Sequence, residues 1–554
     1  MKCLRWRSNR HRIFLFVAFA FLFAVNKHLT SESEEVAEKN EKQTRASDLE
    51  NYKNVDCEPP GAIEFKCTAD NGKPMRCWKD EEDVYIPFSY VKKRFDMTGK
   101  EGKDGSAFEL YTSYARMRSP EANYDSLGPF GHFSTYNVET RDRVRCISAK
   151  TDVPMSTQWD PLPYYYPIQI AQYGLQHYSR MKLDSAIKKS ENSPESEAVV
   201  GVKSQEWKGA AGMHETTERL FFNDEVMGKV VNISAGASLA NAGAYVYLNK
   251  SPDLHVISFH WRPYEANSSF TVLAKMKKDD LLVLINYVFS EGNGKCVWQE
   301  EEKSFDESIV QRPRKDGQVS YSYSYVGESP LGKWSSVTRD ILVDVARALS
   351  SEENRKKDDN VVLHPGDIRL VSIGFRGQLT VKQQITQRRE HHSHAFQAAA
   401  DWLVKSQDVK GGWAVPVERS IADRLLVLAP GWHSAMAQGH GISVLTRAYK
   451  YFDDAKYLNA ALNALELFKM NSSEGGVRAE FFNNVWYEEY PTTPGSFVLN
   501  GFLYSLIGLY DLSKLNVSFL EGKEDHNVTA KIQEAHELYS AGEVGPSMIF
   551  DILH

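Results

Sequence analysis

The sequence predicts a multidomain protein of mixed β and α structure: an N-terminal β-hairpin domain, a central β-barrel or sandwich, and a C-terminal domain of paired helices closing as an α/α toroid. Three observations predict it. Residues 56–150 hold short alternating runs such as DVYIPFSYV and YNVETRDRVRCIS, punctuated by Gly and Asp, which is the signature of hairpins. From 199 to 385 short strands recur (AVVGV, AYVYLN, HVISFHWRP, FTVLAKM, LLVLINYVF, SYSYSYV, IRLVSIGF, QLTVKQQI) with turn residues between them, at the spacing of a barrel or sandwich. After about 390 the texture changes. AFQAAADWLVKSQ, SAMAQGHGISVLTRAYKYF, YLNAALNALELFKM and SFVLNGFLYSLIGLYDLSK place apolar residues at i, i+3 and i+4, as helices do.

In chain order, residues 1–12 carry five Lys/Arg and no acid, and an uncharged run, IFLFVAFAFLFAV, follows. A basic flank before an apolar run marks a signal peptide or an anchor whose N-terminus stays in the cytosol. Thirteen residues fall short of the roughly twenty of a full span. No small-x-small cleavage site follows, so 13–27 is read as an uncleaved signal-anchor. Residues 28–55 form an acidic stem, with seven acids against three bases in 28–50 and few large apolar residues. The domains that follow are 56–150, 151–388 and 389–554, with 183–198 as a solvated loop.

From residue 51 on the chain holds 57 Lys/Arg against 66 Asp/Glu. That acidic balance excludes a protein that coats nucleic acid or another polyanion with its whole surface, so any polyanion must be met in a local groove. Five N-x-S/T sequons, at Asn232, Asn267, Asn471, Asn516 and Asn527, agree with a lumenal body. Cys57, Cys67 and Cys77 are close enough for a local disulfide; with Cys146 and Cys296 the lumenal count is odd, leaving one thiol over, and the spacing does not suit a zinc ribbon.

P-loop, GxGxxG, GxSxG and HExxH motifs are missing, which removes the common phosphate, dinucleotide, serine-hydrolase and zinc-protease signals. REHHSHAF is read as a solvated linker rather than a metal site. The basic clusters 92–94, 141–145, 275–278 and 312–315 are mostly solvated faces, with about one in three expected in a groove. In DVKGGWAVPV two glycines precede a Trp, where the loop must approach something closely.

Two tyrosine-dense stretches stand apart. STQWDPLPYYYPIQIAQYGLQHYS gathers Trp159, Tyr164, Tyr165, Tyr166, Gln169, Gln172, Tyr173 and Tyr178. VWYEEYPTTPGSFVLNGFLYSLIGLYDL puts Tyr487, Glu488, Glu489 and Tyr490 on a proline-stiffened loop before a helix, on which Asn500 and Tyr504 share a face. A phenol offers a flat apolar face and an acid or base with an ordinary pKa near 10.

These stretches, with RDRVRCIS, PGWHSAMAQG and KGGW, closely resemble the heparan sulfate glucuronyl 5-epimerase family over about 60–540. The resemblance implies a Golgi type II enzyme, a homodimer, acting on N-sulfated heparosan to convert D-glucuronate to L-iduronate. It implies catalytic tyrosines at Tyr164, Tyr166, Tyr173 and Tyr490, and sugar contacts at Glu489, Asn500 and Tyr504, with Trp159 and Tyr90 as further aromatic candidates. No redox cofactor is required; a calcium ion is possible around Asn223, His260 and Gln378. After HELYSAGE the resemblance fails and the chain runs out as VGPSMIFDILH. Phe550 and Leu553 then stand where the family has a tyrosine and an arginine, and a further tyrosine segment is missing. The resemblance thus implies a form that binds heparosan and turns over little of it. A polysaccharide lyase, which begins with the same proton abstraction, and a non-catalytic heparosan-binding protein are the competing readings.

Overall fold

A computed structural model describes parts of 61–112, and 123–188, 197–209, 218–235, 243–290, 298–301, 318–326, 331–350, 361–516 and 526–553, with residues 252, 267, 279, 422 and 423 excepted. The signal-anchor, the stem, Cys57, Asn267, Cys296 and the basic clusters 92–94 and 312–315 lie outside the described residues. Among the described residues no helix is long and apolar enough to cross a membrane.

The chain forms two compact units, 1–123 and 124–554, so residues 124–150 pack in the larger one. In the smaller unit, strands Ile63–Cys67, Met75–Lys79 and Val84–Tyr85 form an antiparallel sheet, and Met97–Glu101 pairs with Phe108–Thr112. A disulfide joins Cys67 to Cys77 across the first hairpin, the local pairing that their spacing allowed. No described cysteine is free; Cys146 is also in a disulfide, whose partner lies outside the described residues.

In the larger unit a 15-residue strand, Ile368–Lys382, organises the sandwich. Its first half pairs with Ala244–Tyr247 and Ser269–Met276, and its second half with Gly228–Ala235 and Val256–Pro263. One strand therefore serves both layers, the device by which sandwiches turn corners. Gly377 stands at the turn, with φ +84° and a position where a Cβ would meet Ser268 Cα at 2.8 Å, so only glycine fits. Val, Ile and Phe side chains from both layers, with Trp207, Trp261 and Tyr287, fill the core.

Eight helices are described: α1 (Pro167–Lys188), α2 (Ile341–Ser350), α3 (His392–Ser406), α4 (Ala435–Phe452), α5 (Ala455–Asn463), α6 (Glu466–Lys469), α7 (Leu499–Ser513) and α8 (His526–Leu553). The side chains of Phe550 and Leu553 are not among those described. Packing runs in series: α1 on α3 and α4, α4 on α7, α7 on α8. Two expectations are corrected. Of the expected loop 183–198, residues 183–188 are helix, because α1 continues to Lys188, and 197–198 open the strand Glu197–Val200. The REHHSHAF segment is not a solvated linker: His391 and His392 are largely buried, and α3 starts within it. Where α1 and α3 meet, two histidine rings of the seam, His177 and His392, approach with Nδ1 atoms 2.8 Å apart.

The Gly pair of KGGW does approach its neighbours closely. Gly411 has φ +80°, and a Cβ there would meet the Asn463 carbonyl oxygen at 2.1 Å. Of the basic clusters that are described, Lys275 forms an exposed ion pair with Asp280, whereas Arg141 is buried in the larger unit.

Candidate active site

Two local structures bring the tyrosines together. Tyr164 and Tyr165 form a short strand, and Pro167 opens α1, where a fixed φ and a missing N–H suit the first helical position. Extended backbone sends alternate side chains to opposite sides. Tyr164 and Tyr166 turn into one buried cluster, while the Tyr165 hydroxyl meets Ser148 Oγ at 3.0 Å and Thr151 Oγ1 at 3.2 Å.

The second structure is the loop after the hairpin Arg478–Phe481/Asn484–Tyr487. The buried Glu488 carboxylate accepts hydrogen bonds from the Phe497 N–H (3.1 Å) and Ser496 Oγ (3.2 Å). Ser496 Oγ also reaches the Tyr490 carbonyl at 2.9 Å. The Glu488 carbonyl accepts from Ala435 N–H at the start of α4, 2.9 Å. Glu488 therefore folds the loop, and its neighbours Glu489 and Tyr490 are left facing the cluster.

Trp159 sits among these groups, its ring 5.0 Å from Tyr166, 6.4 Å from Tyr490 and 6.0 Å from Trp432. Trp432 is 5.6 Å from Tyr490. The Arg419 guanidinium lies over both Trp159 (4.8 Å) and Tyr490 (5.4 Å). Tyr164, Tyr166, Trp432 and Tyr490 are buried with Val415, Val417 and Met436, and Trp159 and Tyr504 are partly buried against them.

Burial pushes the Glu489 carboxyl up to about 7, only partly offset by the Tyr490 hydroxyl and the Arg419 cation. At neutral pH it is thus poised between acid and base. Burial, then the Glu489 charge, holds the Tyr490 and Tyr166 hydroxyls well above the ordinary phenol value. Tyr164 is pushed up to about 12 by burial, against the pull of Ser156 and Arg143. At rest the phenols are protonated, and the cations Arg143 and Arg419 are the groups that favour ionising them. A flat aromatic floor, a carboxyl near neutrality and phenols from two separate chain segments are groups suited to acid–base chemistry.

Residues 407–546 match the family "D-glucuronyl C5-epimerase C-terminus", and 227–378 match "D-glucuronyl C5-epimerase, beta-sandwich domain". The whole chain aligns at 75% identity with the D-glucuronyl C5-epimerase of Caenorhabditis elegans, covering 91% of that protein. The chain belongs to the D-glucuronyl C5-epimerase family. By family it is an epimerase, a class of isomerase. An uncharacterized protein of Methanocaldococcus jannaschii is 32% identical over 88 residues, 15% of this chain and 29% of its own length. A family 11 carbohydrate-binding module of Clostridium thermocellum, solved with a mixed-linked tetrasaccharide, covers 35% of this chain and 97% of its own at 13% identity. Its TM-score of 0.19 lends no weight to any argument.

Within this epimerase, Tyr164, Tyr166, Tyr490, Glu489 and Trp159 come together, and Tyr504 borders them on α7, one turn beyond the half-buried Asn500. Tyr173 does not join them. It lies two turns along α1 from Tyr166, its hydroxyl 3.4 Å from His391 Nε2, lining a cavity of about 20 Å³ with Glu139, Asp340 and His394. Tyr90 belongs to the smaller unit. Arg419 and Trp432 were not singled out in sequence. Trp432 stands in the quoted PGWH motif, whereas a lone Arg419 at the start of the short strand Arg419–Ile421 gives no signal.

Asn223, His260 and Gln378 do not converge on an ion. Asn223 pairs with Lys229, while Gln378 pairs with Ser234 five residues further along the same strand, about 16 Å away. The Gln378 amide is already donated to Ser234 Oγ at 2.6 Å, and burial, then the Lys382 charge, depresses the His260 pKa. Among the described residues no three His, Cys, Asp or Glu side chains group as metal ligands.

Proposed function

We propose that this chain acts on carbon 5 of D-glucuronate in N-sulfated heparosan, converting it to L-iduronate in the lumen of the Golgi. The proton on carbon 5 is next to a carboxylate, and removing it places further charge on that group. A neutral Glu489 carboxyl donating to the substrate carboxylate would hold that charge. Inversion then needs a proton taken from one face and returned on the other. Tyr490 on its loop and Tyr166 with Tyr164 at the head of α1 are the proposed carriers, with Trp159 as the stacking floor.

The observation that carries the reading is the meeting of Tyr166 and Tyr490 around Trp159 beside a buried Glu489. The test is incubation with N-sulfated heparosan, followed by disaccharide analysis for iduronate and absorbance for an unsaturated uronate. Iduronate without unsaturated product supports the proposal. An unsaturated uronate makes the chain a lyase, and unchanged polymer that is nonetheless bound makes it a binding protein.

A further inference from the structure

The histidine seam between α1 and α3 holds titratable groups that the proton transfer does not use. The two helices cross antiparallel and without slack. A Cβ at Gly174 would meet Ala399 Cβ at 2.9 Å, and the rings of Tyr178 and Phe396 lie 4.9 Å apart. At one end of this crossing His177 and His392 face each other, with Nδ1 atoms 2.8 Å apart and ring centroids 5.0 Å apart. At that distance one inner nitrogen carries a proton and the other accepts it. The outer nitrogens face acids: His177 Nε2, buried without a hydrogen bond, is 3.8 Å from Glu139, and His392 Nε2 is 3.7 Å from Asp184. One added proton leaves the inner hydrogen bond intact. A second puts N–H against N–H and two like charges in one buried place, so the rings must part.

The surroundings do not welcome that second charge. His177 is 1% exposed, and burial, then the charges of His392, His391 and Arg180, holds its pKa well below the ordinary histidine value. Glu139 is already engaged: it accepts from Gln176 Nε2 at 2.8 Å and lies 3.8 Å from Arg180. Along the seam the Tyr173 hydroxyl is 3.4 Å from His391 Nε2. Asp340 is 3.0 Å from His255 and 3.8 Å from His391, and Asp152 is 3.0 Å from His394. On the α4 side Arg447 lies over Tyr178 and is paired with Asp511.

We propose that His177 and His392 form a proton-operated latch between α1 and α3, closed while their inner nitrogens share one proton and opened by acid. They are positioning residues, acting through the helix. Tyr164 and Tyr166 immediately precede α1, so a helix that shifts on α3 shifts their end of the aromatic cluster. The sign follows from His177, which binds its proton less readily folded than unfolded. Stability is lost as pH falls through the unfolded histidine value near 6.5. The latch thus gives the epimerase an acid limit.

The test is hydrogen–deuterium exchange of the full chain from about pH 8 to about pH 5, with intrinsic rates corrected, beside iduronate formation from N-sulfated heparosan. The activity arm rests on the proposed function; the exchange arm does not. On acidification, peptides from 167–188 and 392–406 should lose protection before the rest of the chain. His392→Asn keeps an oxygen that accepts from His177 in either charge state. It should move the acid midpoint of both readouts down by about one pH unit or more. His394→Asn, at the exposed end of the seam, should leave the midpoint in place. If His392→Asn fails to fold, the exchange profile of the unsubstituted chain carries the test. Protection lost evenly along the chain, or an unmoved midpoint in folded His392→Asn, overturns the latch. A chain that shows the exchange transition but forms no iduronate keeps the latch and removes the proposed function.

Discussion

Adjacent residues of one loop have been given different work by what surrounds them. Glu488 accepts two hydrogen bonds and shapes the loop, while Glu489 faces the aromatic cluster; burial pushes both carboxyls up to about 7, so position and not acidity separates their roles. The sign of the pH dependence follows. A carboxyl raised above its unfolded value favours folding below that value, and loses the advantage as pH rises through the folded value. The neutral form is also the one that can donate to a substrate carboxylate. The rate is therefore expected to fall as pH rises through about 7, and Glu489→Gln, a permanently neutral donor, removes that alkaline limb. A pH–rate profile that keeps the limb in Glu489→Gln would assign it to another group. The stretches that hold Tyr164, Tyr166, Glu489 and Tyr490 stood out in the sequence because density of phenols and a stiffened loop are local features, but the choice of these residues came from the family resemblance. Tyr173 was grouped with them by motif, but seven residues of helix carry it about 10 Å along the axis to the histidine seam. Arg419 was invisible, since what makes it a site residue is a ring stacked beneath it.

At the scale of elements, the site depends on how α4 and α7 cross. A Cβ at Gly439 would meet the Tyr504 carbonyl oxygen at 2.3 Å, and one at Gly508 would meet the Gly439 carbonyl oxygen at the same distance. These are backbone contacts that no rotamer relieves. Gly439→Ala should lower stability by roughly 1–3 kcal/mol, seen as a lower denaturant midpoint. Further along the same pair, Arg447 and Asp511 form an ion pair of 2.6 Å with neither side chain exposed, supported by Ser443 (2.7 Å) and the Tyr124 hydroxyl (2.8 Å). Removing one partner leaves a buried charge alone, so Asp511→Ala should cost about 3–5 kcal/mol, again read by denaturation; a loss under 1 kcal/mol would show that the network is already hydrated. The sandwich strands and later helices were readable from period 2 and period 3.6. Helix α1 was not, because its first half is buried nearly all round with glutamines inside, and neither period survives on such a helix.

For the whole molecule, three of the sequons, Asn471, Asn516 and Asn527, are exposed, while Asn232 is half-buried on a strand paired on both sides. If the body is lumenal as proposed, endoglycosidase treatment of protein from the secretory pathway should lower its apparent mass, with Asn232→Gln changing the shift least. Absence of any shift would contradict a lumenal body. The account as a whole rests on Tyr490 as a proton carrier, and the most direct measurement is deuterium incorporation from solvent at carbon 5 of N-sulfated heparosan. It is made on this chain and on the chain extended by the C-terminal segments of the family, each with Tyr490 and with Tyr490→Phe. In whichever form turns over, the substitution is predicted to cut exchange by about 10²-fold or more with polymer affinity unchanged. Exchange at the unsubstituted rate in Tyr490→Phe, or none in either form with Tyr490 intact, would contradict it.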